Sequence, residues 1–468
     1  PLYSSAASDV YKRQVLDNAL PSNVVLESVG EAGTNRYLSE TKHRRGLRDI
    51  VSAIRIAGRK DTRSHGGRPV NRAVEMGKTL LVDGPASVVV TSGKVDVFGS
   101  ILADGSRIVV REGKRLPFAV EEKATFEISL GENANAEEVS GNTVPSSWIK
   151  SCEELLNFQN RPVTAIVLGN VDSGKTSFCT CLTNKLIHEK HKVAILDGDL
   201  GQSDIGPPCT VAYTFVTKPI TDLFDLKAKN AVFVGVTSPS VAISKVIEDL
   251  ITLKREILQG DPAFVIINTD GWAEGEDAVK YKVQLVEELE PDIVFCIQQN
   301  DELTGLLNAL GKFRKVVVAS PPARGQRSRE KRRSLRELGY MKYLKNAKVQ
   351  SFPLGWLKIE EGEMLGLSED QGKIRQARSI YELLGMNPSH LAELRDRICI
   401  VIGRRCWISA DNIKKVREFT NKKVTVIREG EERGLLMALC NTGRRFLGIG
   451  VLHEIDYTRK TLKIFTPV

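Results

Sequence analysis

The sequence predicts an α/β fold: a parallel β-sheet covered by helices, with a small β-rich domain ahead of it and a β-rich domain behind. Three observations carry the prediction. Between residues 163 and 320 nearly continuous apolar runs alternate with helical segments. From 77 to 130 short apolar runs are punctuated by glycine at turn-sized intervals. The stretch GNVDSGKT, 169–176, joins the first long apolar run to a helix through a glycine-rich loop.

The chain opens with PLYSSAASDVYKRQV, which does not begin with Met and connects to no periodic pattern, so it reads as sequence foreign to the native protein. A native start is expected at Met76, which makes 1–75 an N-terminal extension, in part non-native or disordered, despite one amphipathic run, GLRDIVSAIRIAGRK. Residues 76–145 form the small β domain. KTLLVDG, SVVVTSG, VDVFGSILADG, RIVVREGK and LPFAVEEKATFEISL are its strands, spaced as in a small sandwich or barrel. The polar GENANAEEVSGNTVPSS has no strand period and is expected to be a linker, and WIKSCEELLNFQ a helix leading into the glycine-rich loop.

Residues 146–348 are the central domain. TAIVLG, KVAILDGD, AVFVGV, AFVIINTDG, DIVFCIQ and KVVVAS carry apolar residues on both faces, the mark of parallel strands buried by helices on either side. Chemistry in such a sheet belongs at the C-terminal ends of the strands. Residues 349–468 return to strands (DRICIVIG, KKVTVIREG, RGLLMALCN, FLGIGVLHEI, KTLKIFTPV) with one or two helices and offer no chemical constellation.

At 468 residues and 41% apolar composition the chain has room for about three domains with formed cores. Its formal charge of +9 is uneven: 324–348 holds ten Lys/Arg against Glu330 and Glu337, and 43–72 holds nine against Asp49 and Asp61. Positive charge confined to short segments points to a polyanionic partner. The eight cysteines have neither CxxC nor Cys/His ligand spacing, which argues against a zinc site or a disulfide framework and for a reducing compartment. With no membrane-length apolar run and no signal-like N-terminus, a cytoplasmic protein without membrane association is expected.

GNVDSGKT fits the phosphate-loop pattern GxxxxGK[ST] in strand–loop–helix context, so the sheet is of the P-loop NTPase type. Gly169, Asn170, Val171, Asp172, Ser173, Gly174, Lys175, Thr176 and Ser177 make the nucleotide site: amides hold phosphate oxygens, Lys175 reaches the β/γ oxygens, and the Thr176 hydroxyl faces Mg²⁺. Asp172 is tolerated beside an anion if its side chain splays outward, to a cation or to the acceptor. The next strand ends LDGDLGQSD, where Asp197 and Asp199 share a face; Asp199, at the tip, is the candidate for the Mg²⁺ shell or for taking the acceptor's proton, and Gln202 for positioning the nucleophile. Arg327, Arg329, Arg332, Arg333 and Arg336 follow the last core strand on a predicted helix behind SPPARG, a hinge. There they can clamp a migrating phosphoryl group or contact nucleic-acid backbone.

The loop alone resembles that of the translational GTPases, but no NKxD and no switch-type DxxG follow. INTDGW supplies the better discriminator, with Thr269, Gly271 and Trp272 at a strand end beside the loop. Loop, DGDLGQ, TDGW and QRSREKRRSLRE together, in that order, resemble the polynucleotide 5′-hydroxyl kinases of RNA processing, including archaeal RNA kinases, over residues 76–468. Asn170 stands where that family usually has proline. The resemblance implies a nucleotide-binding loop at Asp172–Thr176, an acidic strand end at Asp199, Gly201 and Gln202, a clasp at Thr269, Gly271 and Trp272, and lid arginines at Arg327 and Arg332. It implies a base contact near Lys114, and transfer of the γ-phosphate of ATP, GTP or another NTP to the 5′-hydroxyl of RNA or DNA with Mg²⁺, among RNA-processing proteins. The alternative within the family is an ATP-binding scaffold without catalysis.

Overall fold

The computed structural model describes residues 24–27, 68–322, 327–354, 357–359, 362–363, 370–394, 397–431 and 433–468. They fall into two units that part within the helix Arg329–Tyr343, one ending at Lys342 and the other running from Tyr343 to Val468 with the short strand Val24–Glu27.

The first unit holds two sheets. The N-terminal one is antiparallel and has seven strands, built around the sixteen-residue strand Arg115–Leu130. Ala86–Val97 beside it alternates buried and half-exposed positions, as the valines and polar residues of ASVVVTSGKVDV dictate. Val70–Val74, ahead of Met76, pairs with Ala124–Ile128 and belongs to this sheet. The expected linker is itself partly a strand: Asn135–Ser140 pairs with Lys78–Asp83. NAEEVS lacks the alternation because it is an edge strand with little buried surface, and edges tolerate charge.

The second sheet also has seven strands, in the spatial order Asn230–Phe233, Thr210–Val216, Val193–Gly198, Phe264–Thr269, Val163–Gly169, Ile293–Gln298, Lys315–Ala319. The last five run parallel. The first two depart from the expected all-parallel arrangement: Thr210–Val216, a strand the sequence pattern did not reveal, runs antiparallel to Val193–Gly198, and Asn230–Phe233 closes the edge antiparallel to it. Val163–Gly169 is the middle one of the five parallel strands and is buried at every position. Helices Ile243–Leu258 and Glu276–Leu289 cover one face, where Val246, Leu250, Leu285 and Val286 meet Ile166, Leu196 and Ile267. Such side chains each contribute roughly 1.5–3 kcal/mol on burial. Trp148, from helix Ser146–Leu156, ties the two sheets together. Its indole N–H donates to the Ala319 carbonyl at 2.9 Å, and its ring packs against Phe98 at 6.1 Å and Phe178 at 5.3 Å.

The second unit has a six-stranded and a four-stranded sheet. Helices Gln371–Leu384 and Ala410–Thr420 pack on the four-stranded one through Ile380, Leu384, Ile400 and Val416. Among the described residues no helix is long and apolar enough to cross a membrane.

Candidate active site

The loop after Val163–Gly169 is shaped by close approach. A β-carbon on Gly174, which caps helix Lys175–His188 at φ 100°, would stand 2.9 Å from Pro321, and Asp172 adopts φ 60°, a left-handed conformation Asp tolerates better than most residues. Lys175 is buried and donates to the carbonyls of Gly169 (2.9 Å) and Asn170 (2.6 Å). Burial lowers its pKa to about 8, against the opposing pull of the Asp199 carboxylate. Val171, Asp172, Gly174, Lys175, Thr176 and Ser177 line a cavity of about 770 Å³. Ser173 faces inward, its carbonyl accepting from the Ser320 hydroxyl at 2.9 Å.

The two acids of LDGD divide their labour. Asp197 is fully buried and organises the turn, accepting on Oδ2 from the Asp204 N–H (2.9 Å) and the Ser203 hydroxyl (3.2 Å) and on Oδ1 from Asn268 (3.0 Å). Asp199 lines the cavity with Thr176 and Gln202. Its Oδ1 accepts the N–H groups of Gly201 (3.1 Å) and Gln202 (2.9 Å). Burial, then the neighbouring Asp197 and Asp270 carboxylates, push its pKa up to about 7. Asp199 and the Thr176 hydroxyl are hard oxygen donors on one cavity wall, of the kind that could hold a divalent cation such as Mg²⁺.

TDGW packs directly on the loop. A β-carbon on Gly271 would lie 2.6–2.8 Å from Val171 Cγ2, Cα and N, so only glycine lets the two backbones meet. Trp272 lines the cavity and stacks on Tyr281 at 5.7 Å. Thr269 differs from the expected substrate contact: its hydroxyl donates to the Val167 carbonyl at 2.7 Å and it sits beneath the cavity, holding adjacent strands together. Between them Asp270, passed over in the sequence, accepts from fully buried Lys282 (2.8 Å), from the Tyr281 hydroxyl (3.0 Å) and from the Trp272 N–H (2.9 Å). The available signal was a lysine on the apolar face of its helix, flanked by Ala278, Leu285 and Val286.

From the other side comes helix Arg329–Tyr343. Arg327, just ahead of it, Arg332 and Arg336 line the cavity; Arg329 is exposed, and Arg333 pairs with Glu337 at 3.0 Å. Arg327 meets Asp172, its N–H donating to Oδ2 at 3.0 Å. Of the expected hinge, residues 323–326 lie outside the described ones. The far wall comes from the antiparallel sheet. Lys114 is buried there with its ammonium 3.2 Å from Asp222, which Arg111 also engages at 2.6 Å. Burial opposes ionisation of Asp222, yet these two cations hold its carboxyl well below the usual range. No composition rule in the sequence marked that cluster, because Asp222 lies 111 residues beyond Arg111 in the chain.

A mostly parallel sheet, the middle one of whose five parallel strands opens into a lysine-bearing phosphate loop, faced by an acidic strand tip and an arginine helix, defines a P-loop phosphotransferase. The family described as mRNA cleavage and polyadenylation factor CLP1 P-loop matches residues 169–346. A polyribonucleotide 5′-hydroxyl-kinase of Pyrococcus furiosus is 30% identical over 331 residues, 69% of this chain and 88% of the relative. One of Methanocaldococcus jannaschii is 27% identical over 314 residues, 66% of this chain and 82% of the relative. The chain belongs to this polyribonucleotide 5′-hydroxyl-kinase family. In fold it is similar to Clp1p solved in complex with Pcf11p, with a TM-score of 0.59 at 14% identity over 86% of this chain and 95% of that one.

Proposed function

We propose that the protein is a polynucleotide 5′-hydroxyl kinase that moves the γ-phosphate of ATP, or of another NTP, to the 5′-hydroxyl of RNA or DNA ends, in RNA processing. The observation that carries this reading is the convergence of Lys175, Thr176, Asp199, Arg327 and Arg332 on one cavity. The acceptor oxygen forms a bond to the γ-phosphorus as the bond to the β–γ bridging oxygen breaks, and the nucleoside diphosphate leaves. Loop amides and Lys175 hold the triphosphate. Thr176 and Asp199 would hold Mg²⁺, which would neutralise phosphate charge there. If Asp199 does not bind the ion, its pKa near 7 instead matches it to accept the proton of the attacking hydroxyl. Arg327 and Arg332 neutralise the three equatorial oxygens of the migrating group. Trp272 bounds the cavity with an aromatic face that suits a terminal base or sugar. The reading includes the cytoplasm, where the eight free cysteines stay reduced.

The test is end labelling: purified protein, Mg²⁺ and γ-labelled ATP with 5′-hydroxyl oligonucleotides of RNA and DNA side by side, repeated with other NTPs. Label on the 5′ end supports the kinase. Nucleotide binding with no label on any oligonucleotide would instead make the protein a scaffold that binds ATP without catalysis.

A further inference from the structure

The arginine segment is tied to the floor of the cavity at two points. At one, Asp172 accepts the Arg327 N–H on Oδ2 at 3.0 Å, with its other oxygen 3.6 Å from the Arg327 guanidinium. At the other, Gln202 Nε2 donates to the Arg332 carbonyl at 3.2 Å, while the Gln202 N–H is itself held by Asp199 at 2.9 Å. Arg332 Nη2 donates to the Arg327 carbonyl at 2.7 Å and joins the two points. One run of hydrogen bonds thus leads from the phosphate loop, through both arginines, to the acidic strand tip.

The first point answers why a carboxylate sits inside a loop built for anions. At φ 60° the backbone of Asp172 takes the left-handed turn of a phosphate nest, whose concavity is lined by amides, and its carboxylate leaves that row for the arginine segment. Arg327 is fixed there from both sides, because its Nε donates to the Gly113 carbonyl at 3.1 Å. Arg332 Nε, buried without a hydrogen-bond partner, keeps a donor in reserve beside the cavity. We propose that Asp172 and Gln202 are positioning residues that latch the arginine segment over the cavity, and that Asp172 serves neither the metal nor the acceptor. The inference rests on the phosphotransferase reading only for its catalytic consequence.

The test uses the full chain and the variants D172N, D172G and Q202A. Asn and Gly both accept the left-handed backbone, so neither adds strain. Amide hydrogen exchange over 327–336, without nucleotide, should speed up about tenfold in D172G, as expected for one lost charge-assisted hydrogen bond, and less in D172N, which keeps an acceptor for the Arg327 N–H. Q202A should act at the Arg332 end. Phosphorylation kcat should fall in the same order, with the dissociation constant of Mg²⁺ATP within about threefold of wild type. Unchanged exchange in D172G overturns the latch. So does a D172N variant that loses Mg²⁺ATP affinity while exchange at 327–336 stays as in wild type, since Asp172 would then be a ligand. If wild type labels no oligonucleotide the kinase reading fails, but the exchange and binding arms still decide the latch.

Discussion

Replacing Gly271 by alanine should disable the nucleotide site by displacing the phosphate loop, although the alanine methyl removes no group that binds nucleotide. The added β-carbon would stand 2.7 Å from Val171 Cα and 2.8 Å from its backbone N, both in the phosphate loop. Ordinary contacts of these atoms are about 3.5 Å, so the loop or the clasp must retreat by about 0.7 Å. Val171 Cγ2, at 2.6 Å, can rotate away, but the backbone atoms cannot. Forced displacement of packed groups costs about 1–3 kcal/mol, which is roughly fivefold to 150-fold in affinity or turnover when it falls on an aligned site. The assay is nucleotide affinity by calorimetry, with labelling kinetics in parallel. Gly305→Ala is the control, because nothing stands within 4 Å of its added carbon, and it should bind nucleotide as wild type does. If G271A matches wild type in both affinity and turnover, close packing of clasp on loop is not what orders the site.

Lys175 has its pKa lowered to about 8 by burial, and phosphate binding requires the ammonium, so nucleotide affinity should fall as pH rises through that value, up to tenfold per unit. Titration between pH 7 and 10 checks this, and a pH-independent affinity would refute it. Lys282→Met should destabilise the fold by about 3–5 kcal/mol, because it strands the Asp270 carboxylate in the interior, and adding Asp270→Asn should restore part of the loss in denaturant unfolding. Arg332→Ala should lower turnover at least about a thousandfold with nucleotide binding retained; unchanged turnover would remove this guanidinium from the mechanism. Oligonucleotide binding should weaken steeply with added salt, read as a linear fall of log affinity with log salt concentration.

What the sequence determined by itself is what depends on neighbours along the chain. GNVDSGKT needs only its own residues to make a turn, a row of amides and a helix start, and the apolar run before it needs only its composition to demand burial on both faces. Asp199 could be preferred over Asp197 from its place at a strand tip, and the arginine helix from its periodicity. The polar edge strand Asn135–Ser140 and the antiparallel Thr210–Val216 escaped notice because pairing and direction are settled by partners distant in sequence, not by local pattern. The same holds for the site: that Asp172 meets Arg327, that Thr269 braces a strand, and that Asp270 and Lys282 neutralise each other inside the core were decided only in three dimensions. A local rule sees which groups a segment carries, whereas a buried charge is defined by the group that folding sets against it.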